Sequence, residues 1–388
     1  MNKIERTAQI GDYIKKVHLL RYKDKLVIEI ENKINSIDWN RTSNKYQLMF
    51  QYLKRNIEKL LVASPKSLEQ IIFHIEKHYF IATEKIKSLI SKRKCLKIKR
   101  ASNEMQHFII NNNLERHLGS IHFGKIKDFD KAMKQLIDQQ ILYYISGETE
   151  EILECLKGIF DYESFYTSTT LKNGEVWGAY EYLIKLNCNI CPYCDRQFVY
   201  TFNTGTKKVR AEIDHFLPKF NYPYLALSIM NLVPSCHQCN SSCKGTKDPI
   251  DKSIIHPFIR GFDNHVSIEI NPYDSYALEG VNTNFDIEFI VSTTNNELKR
   301  QLNNSINMFA LEETYAAHKF YIRDLLRKAY IYNNSMLKDI SKILSANSTT
   351  FTVKELKKIT FPELNLTDQQ KKHVLSKLGY DIVKKYTN

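Results

Sequence analysis

Cys191-Pro192-Tyr193-Cys194 and Cys236-His237-Gln238-Cys239, two C-x-x-C turns with 41 residues (195–235) between them, decide how this chain is read. Between and just after them lie Glu212-Ile213-Asp214-His215-Phe216, then Asn231-Leu232-Val233-Pro234, and Asn240 directly behind the last cysteine. Four thiolates at about 2.3 Å from one ion suit tetrahedral zinc, and each two-residue turn brings both sulfurs of a pair to one face of the metal. Cys191, Cys194, Cys236 and Cys239 are therefore expected to hold a structural zinc, whose closed shell clamps a loop-rich segment and leaves no position open for chemistry. Cys188 also stands three residues before Cys191, but Pro-Tyr is better turn chemistry than Asn-Ile. The 191/194 pair is preferred, with Cys188 and Cys243 left as packing thiols.

Outward from this frame, the composition narrows the class. Six of the eight cysteines fall within residues 188–243, in a chain with no apolar run near the roughly 18 residues of a membrane span. The first residues, MNKIERTAQIGDYIKK, lack the apolar core of a signal peptide. A cytoplasmic protein is expected, with cysteines serving metal rather than bridges. With 388 residues the chain has room for two or three domains, and a net charge of +13 on 43% hydrophobic residues describes a folded, basic protein suited to polyanions.

The strand-like Glu212–Phe216, the wide connection to Asn231, a second strand after it and a helix opening at the second knuckle form a unit. His215, Asn231 and Asn240 stand at spacings that resemble the HNH endonuclease signature. The zinc-stapled subclass of that family carries the same two cysteine pairs around a ββα-metal fold. The resemblance covers about Cys188 to Asp248 and implies hydrolysis of nucleic-acid phosphodiesters. It implies His215 as general base, Asp214 and Asn240 as ligands of a catalytic Mg2+ or Mn2+, and Asn231 as the residue that fixes the histidine-bearing loop.

The residues support the same chemistry on their own terms. An imidazole with an ordinary pKa near 6.5 is the natural base at neutral pH. A carboxylate and a carboxamide give two oxygen ligands and leave most of a hard cation's shell to water and phosphate. A neutral Asn orients a neighbour without competing for protons. Lys207, Lys208, Arg210, Lys219 and Lys244, with Lys247, surround these residues as expected phosphate contacts.

Two departures qualify the resemblance. Residues 217–230 lack the Gly-Gly loop of many HNH domains, and Lys244 stands one residue later than the usual Asn-x-x-Lys. Both features are similar to HNH proteins of bacterial anti-phage modules such as Septu and retron-associated nucleases. That likeness implies a companion ATPase or sensor and a role in antiviral defence. His256 reads as a satisfied loop histidine with metal ligation as the alternative, and His237 as facing solvent or phosphate.

The remainder reads as mostly helical, so the fold class is mainly α with a central α+β nuclease unit. Three regions are expected: residues 1–175, helical, for binding or regulation; 176–262, the HNH unit; and 263–388, strands followed by helices. Leu26, Ile28 and Ile30 alternate like a strand. Lys85 to Arg100 carries eight Lys or Arg and no acid, a second candidate nucleic-acid face. The 23 Tyr and 20 Phe read as core rather than as a base-stacking surface. Thr352 with Glu355 and Thr367 with Gln370 announce capped helices. DNA is the expected substrate, on family likeness alone, and restraint by a partner or by oligomerisation is expected of any nuclease in a cytosol. Two other readings stay open: a zinc-stapled nucleic-acid-binding or adaptor module without catalysis, and an RNA-cleaving toxin.

Overall fold

The computed structural model describes residues 1–38, 44–80, 147–345, 351–365 and 373–387. The basic run Lys85–Arg100 and the Thr367/Gln370 cap lie outside them. Leu26, Ile28 and Ile30 belong to no strand. They sit in one long helix, Ala8–Ser36, whose buried residues Ile14, Val17, His18, Tyr22, Leu26 and Ile30 follow helical spacing while Ile28 is exposed. The alternation is the coincidence of one helical face sampled at every fourth position. Ser64 caps the helix Pro65–His78 through the Ser67 amide, with proline in the first turn.

Residues 161–177 hold three buried aromatics, Tyr162, Phe165 and Trp177, that lock the helical arm onto the central unit. His18 stands at the centre of that lock. Its Nε2 lies 2.7 Å from the Leu227 carbonyl, and the Trp177 indole N–H reaches its Nδ1 at 3.1 Å. An indole only donates and a carbonyl only accepts, so His18 is neutral with its proton on Nε2.

The central unit is a two-stranded antiparallel hairpin and a short helix. Strand Glu212–His215 pairs with Leu232–Ser235 in a register that sets His215 opposite Leu232 and Asp214 opposite Val233. The connection between them is no open loop: residues 221–230 are all buried, with the Ile229 amide on the Leu61 carbonyl of the helical arm. The second knuckle leads into Gln238–Lys244, a π-helical segment.

Beyond the central unit, Val266–Pro272 and Phe285–Val291 pair along their whole length, as their alternating pattern predicts. The long helical stretch after Leu298 breaks into Asn296–Met308, Leu311–Tyr315, Lys319–Ile331 and Asn334–Ser345. Thr352 and Glu355 form the reciprocal capping box. The last helix, Ser376–Tyr386, returns to the first knuckle, where the buried Asp195 carboxylate accepts from Asn2 Nδ2, Ser376 Oγ and the Lys377 amide.

Burial pushes His18 down to about 3, against the pull of its carbonyl partner. An unfolded histidine titrates near 6.5, so this stability is present above pH 6.5 and is lost as pH falls towards 3. At pH 5 the loss attributable to His18 is about 2 kcal/mol. Urea unfolding at pH 7.5 and pH 5 checks this: in His18→Gln the pH-dependent part should shrink by that amount.

Candidate active site and metal centre

Two turns that the chain separates by a whole hairpin are brought together at the base of the unit. The sulfurs of Cys191, Cys194, Cys236 and Cys239 all lie within 4.8 Å of one another, and all four residues are buried. Cys194 Sγ and Cys236 Sγ are 3.9 Å apart, against about 3.8 Å for a tetrahedron edge with 2.3 Å metal–sulfur bonds. The donor set and its spacing fit zinc. Cys188 stays outside the cluster, donating to the Ile190 carbonyl at 3.3 Å, and burial pushes its thiol up to about 12. Cys243 points instead to the Phe309 carbonyl. Asp195, directly after Cys194, takes φ +55, a left-handed conformation that Asp tolerates.

Adjacent positions on strand Glu212–His215 send their side chains to opposite faces. Asp214 points towards the knuckles, 3% exposed. Its Oδ2 accepts from the Tyr193 hydroxyl at 2.5 Å, and its Oδ1 accepts from Lys244 Nζ at 2.9 Å. Lys244 Nζ also donates to the His215 carbonyl at 2.8 Å. Lys244 is thus no surface phosphate contact: it is 1% exposed and spends its charge on the strand beneath it. The late position of this lysine has a physical explanation. The Gly245 amide bonds the Asn240 carbonyl at 2.8 Å, an i→i+5 turn that absorbs one extra residue. Gly245 then ends the segment at φ +52.

His215 faces the other way, into the helical arm. Its Nε2 donates to the Ala226 carbonyl at 2.9 Å, which leaves Nδ1 as the ring's acceptor. The Tyr162 ring stands edge-on to it, with centroids 4.2 Å apart. Burial pushes His215 down to about 3, and Lys219 and Lys244 add to that against the carbonyl. The imidazole is therefore neutral at pH 7, and burial makes it a weaker base than a free histidine. Asn231 ties the connection at two points: Oδ1 accepts from the Leu217 amide at 2.6 Å, while Nδ2 donates to the Leu217 and Leu225 carbonyls. It therefore fixes the loop whose next carbonyl, Ala226, orients His215.

Asn240 meets the strand at Glu212, donating to Oε2 at 2.9 Å. Glu212 Oε1 lies 2.7 Å from Nδ1 of the exposed His237. Lys207 and Lys208 are exposed on a hairpin, and Arg210 stacks over Tyr166 at 4.0 Å. Lys219 pairs with Glu163 at 3.3 Å. His256 is a buried packing histidine: Nδ1 accepts from the Phe258 amide and the ring tilts against Phe216. Tyr193, Glu212 and Tyr162 are the site residues that sequence reasoning missed. Only Tyr193 left a signal, as the one aromatic inside a knuckle.

Cys236→Ala opens the sulfur shell, and the protein should lose zinc together with cooperative unfolding, read by metal analysis and circular dichroism. Lys244→Met leaves Asp214 buried without its cation and should lower stability by about 3–5 kcal/mol in urea melts, with bound zinc retained.

Known proteins resemble part of this sequence. Residues 191–245 match the HNH endonuclease family. Septu protein PtuB from Bacillus thuringiensis is 34% identical over 122 residues, covering 30% of this chain and 43% of that protein. Protein ea31 of Escherichia phage lambda is 34% identical over 90 residues, covering 23% of this chain and 27% of that protein. The chain thus spans less than half the length of these curated relatives. No solved structure matches. A four-sulfur metal frame, a strand ending in Asp-His and the knuckle helix packed on it make residues 191–245 an HNH endonuclease domain within a mostly helical chain.

Proposed function

We propose that this chain is a cytoplasmic, metal-dependent endonuclease that hydrolyses phosphodiester bonds of nucleic acid, DNA by preference, in antiviral defence. The observation that carries the reading is Asp214–His215 at the end of a strand pinned by the metal frame, with Asn231 holding the loop that orients the imidazole. No helix among the described residues is long and apolar enough to cross a membrane. The likeness to a Septu protein supports the defence role and action beside a companion such as an ATPase or sensor.

In this reading His215 Nδ1 takes the proton of the attacking water, and the Ala226 carbonyl, by engaging Nε2, leaves Nδ1 as the ring's acceptor. Asp214 and Asn240 would hold a Mg2+ or Mn2+ ion. Both Asp214 oxygens are engaged, by Tyr193 and Lys244, so an ion there would take the place of the Lys244 ammonium, whereas Asn240 commits its amide nitrogen to Glu212 and keeps its oxygen as a ligand. When bound, such an ion neutralises charge growing on the phosphate. Asn231 positions, and Lys207, Lys208, Arg210 and Lys219 contact the substrate backbone.

A binding module without catalysis is the second reading, favoured by the burial of His215 beneath Tyr162. One assay decides between them: single- and double-stranded DNA and RNA, with magnesium or manganese, wild type beside His215→Ala. The nuclease reading expects His215→Ala to lose at least roughly 100-fold in cleavage rate, with zinc content unchanged. Cutting that persists in the variant, or no cutting by wild type on any substrate, would overturn it.

A further inference from the structure

Most described aromatic side chains are core; Tyr273, Tyr276, Phe320 and Tyr330 are exposed in the C-terminal region, and three more stand exposed in a row beside the metal frame. Residues 196–211, RQFVYTFNTGTKKVRA, hold three aromatics and four Lys or Arg without a single acid. Phe198, Tyr200 and Phe202 occupy alternate positions, which places them on one face of an extended chain, while Val199 between them is buried. The three rings are 47%, 50% and 40% exposed, and Val209, paired with Phe202 across the hairpin, is 45% exposed. The Phe198 and Tyr200 rings lie parallel within 12°, centroids 4.9 Å apart.

The row is held firmly. The Cys191 amide bonds the Gln197 carbonyl and the Val199 amide bonds the Asn189 carbonyl, so its first half is laced to the knuckle. Phe202–Asn203 pairs with Lys208–Val209, so its second half is a hairpin tipped by the exposed Lys207 and Lys208. A contiguous apolar row left in water on a rigid element marks a binding surface. Flat rings flanked by cations and free of acids suit one partner above others: a polyanion with π-faces to stack. In a duplex those faces are already stacked inside, so the partner is a strand with unpaired bases. From Val209 the chain runs on to His215 over six residues, about 20 Å if extended.

We propose that Phe198, Tyr200 and Phe202 form a base-stacking platform that receives single-stranded nucleic acid and leads it towards His215. The inference rests on the nuclease reading and names the form of its substrate.

The test uses the full chain as His215→Ala, so that binding is read without cutting. Fluorescence anisotropy compares an oligothymidylate, the same strand with abasic sugars and a duplex of equal length. The single strand should bind tightest and the abasic strand much more weakly. Phe198→Ser and Tyr200→Ser should each weaken single-strand binding by roughly 5- to 100-fold, with zinc content and unfolding midpoint unchanged because the rings are exposed. Tyr200→Trp should restore it. Equal affinity for abasic and normal strands, or serine variants that bind within twofold of the parent, would overturn the platform. So would a dimer that the serine variants dissociate while strand binding persists, since the row would then face a second copy. Platform and nuclease fail separately: wild type that binds single strands through these rings but cuts nothing sinks only the nuclease reading.

Discussion

Everything at the centre of this molecule depends on holding two short turns together across 41 residues of chain. Closing a loop of that length costs about 4 kcal/mol in chain entropy, and the hairpin within it is too short to repay the cost alone. Zinc held by these four sulfurs would supply an apparent binding free energy of about 10–16 kcal/mol, enough to close the loop with some to spare. Rigidity follows from the same contact. Tyr193 lies inside the first knuckle and donates to Asp214, so the frame is joined directly to the strand that carries the proposed chemistry. Asp195, next to that knuckle, gathers Asn2 and the start of the last helix, so both ends of the described chain meet at the metal frame.

The second knuckle positions its own residues with comparable economy. A regular α-turn after Cys239 would rotate Lys244 by about 100° per residue away from the position an Asn-x-x-Lys spacing gives it. The i→i+5 turn removes that excess, and the ammonium arrives beneath Asp214 and the His215 carbonyl. A buried lysine paired to a buried aspartate is a weak source of net stability, because both groups surrender their hydration. Its value here is positional: two groups on the strand, Asp214 Oδ1 and the His215 carbonyl, are tied to one helix.

Much of this was legible because metal chemistry leaves short, rigid spacings in a sequence. The four cysteines, the strand that carries Asp214 and His215 (one residue shorter than Glu212–Phe216), the second strand after Asn231 and the alternating pair from Val266 to Val291 follow from local pattern. What was not legible depends on long-range packing. Leu26, Ile28 and Ile30 alternate, yet helix continuity over Ala8–Ser36 overrides a three-residue pattern. Lys244 reads as surface charge because nothing local says that a carboxylate lies buried 30 residues earlier. Glu212 contacts Asn240 and His237 only once the strand and the π-turn are side by side. Phe198, Tyr200 and Phe202 were submerged in a count of 43 Phe and Tyr, most of them expected in helices; their shared exposure appears only when the extended backbone puts them on one face.

The helical arm is drawn into the site by the same hydrogen-bond logic. Trp177 donates to His18, His18 donates to the Leu227 carbonyl, and the preceding carbonyl, that of Ala226, receives His215. Consecutive carbonyls thus serve one histidine from the arm and one from the nuclease strand. A shift of the Ala8–Ser36 helix would move both acceptors together, and with them the direction of the His215 lone pair. Tyr162 and Glu163 come from the segment that Arg21 bridges to that helix, through the Ser164, Thr167 and Trp177 carbonyls. They set an aromatic edge against His215 and a carboxylate against Lys219. The arm therefore braces the loop that orients the imidazole from one side and covers the ring from the other.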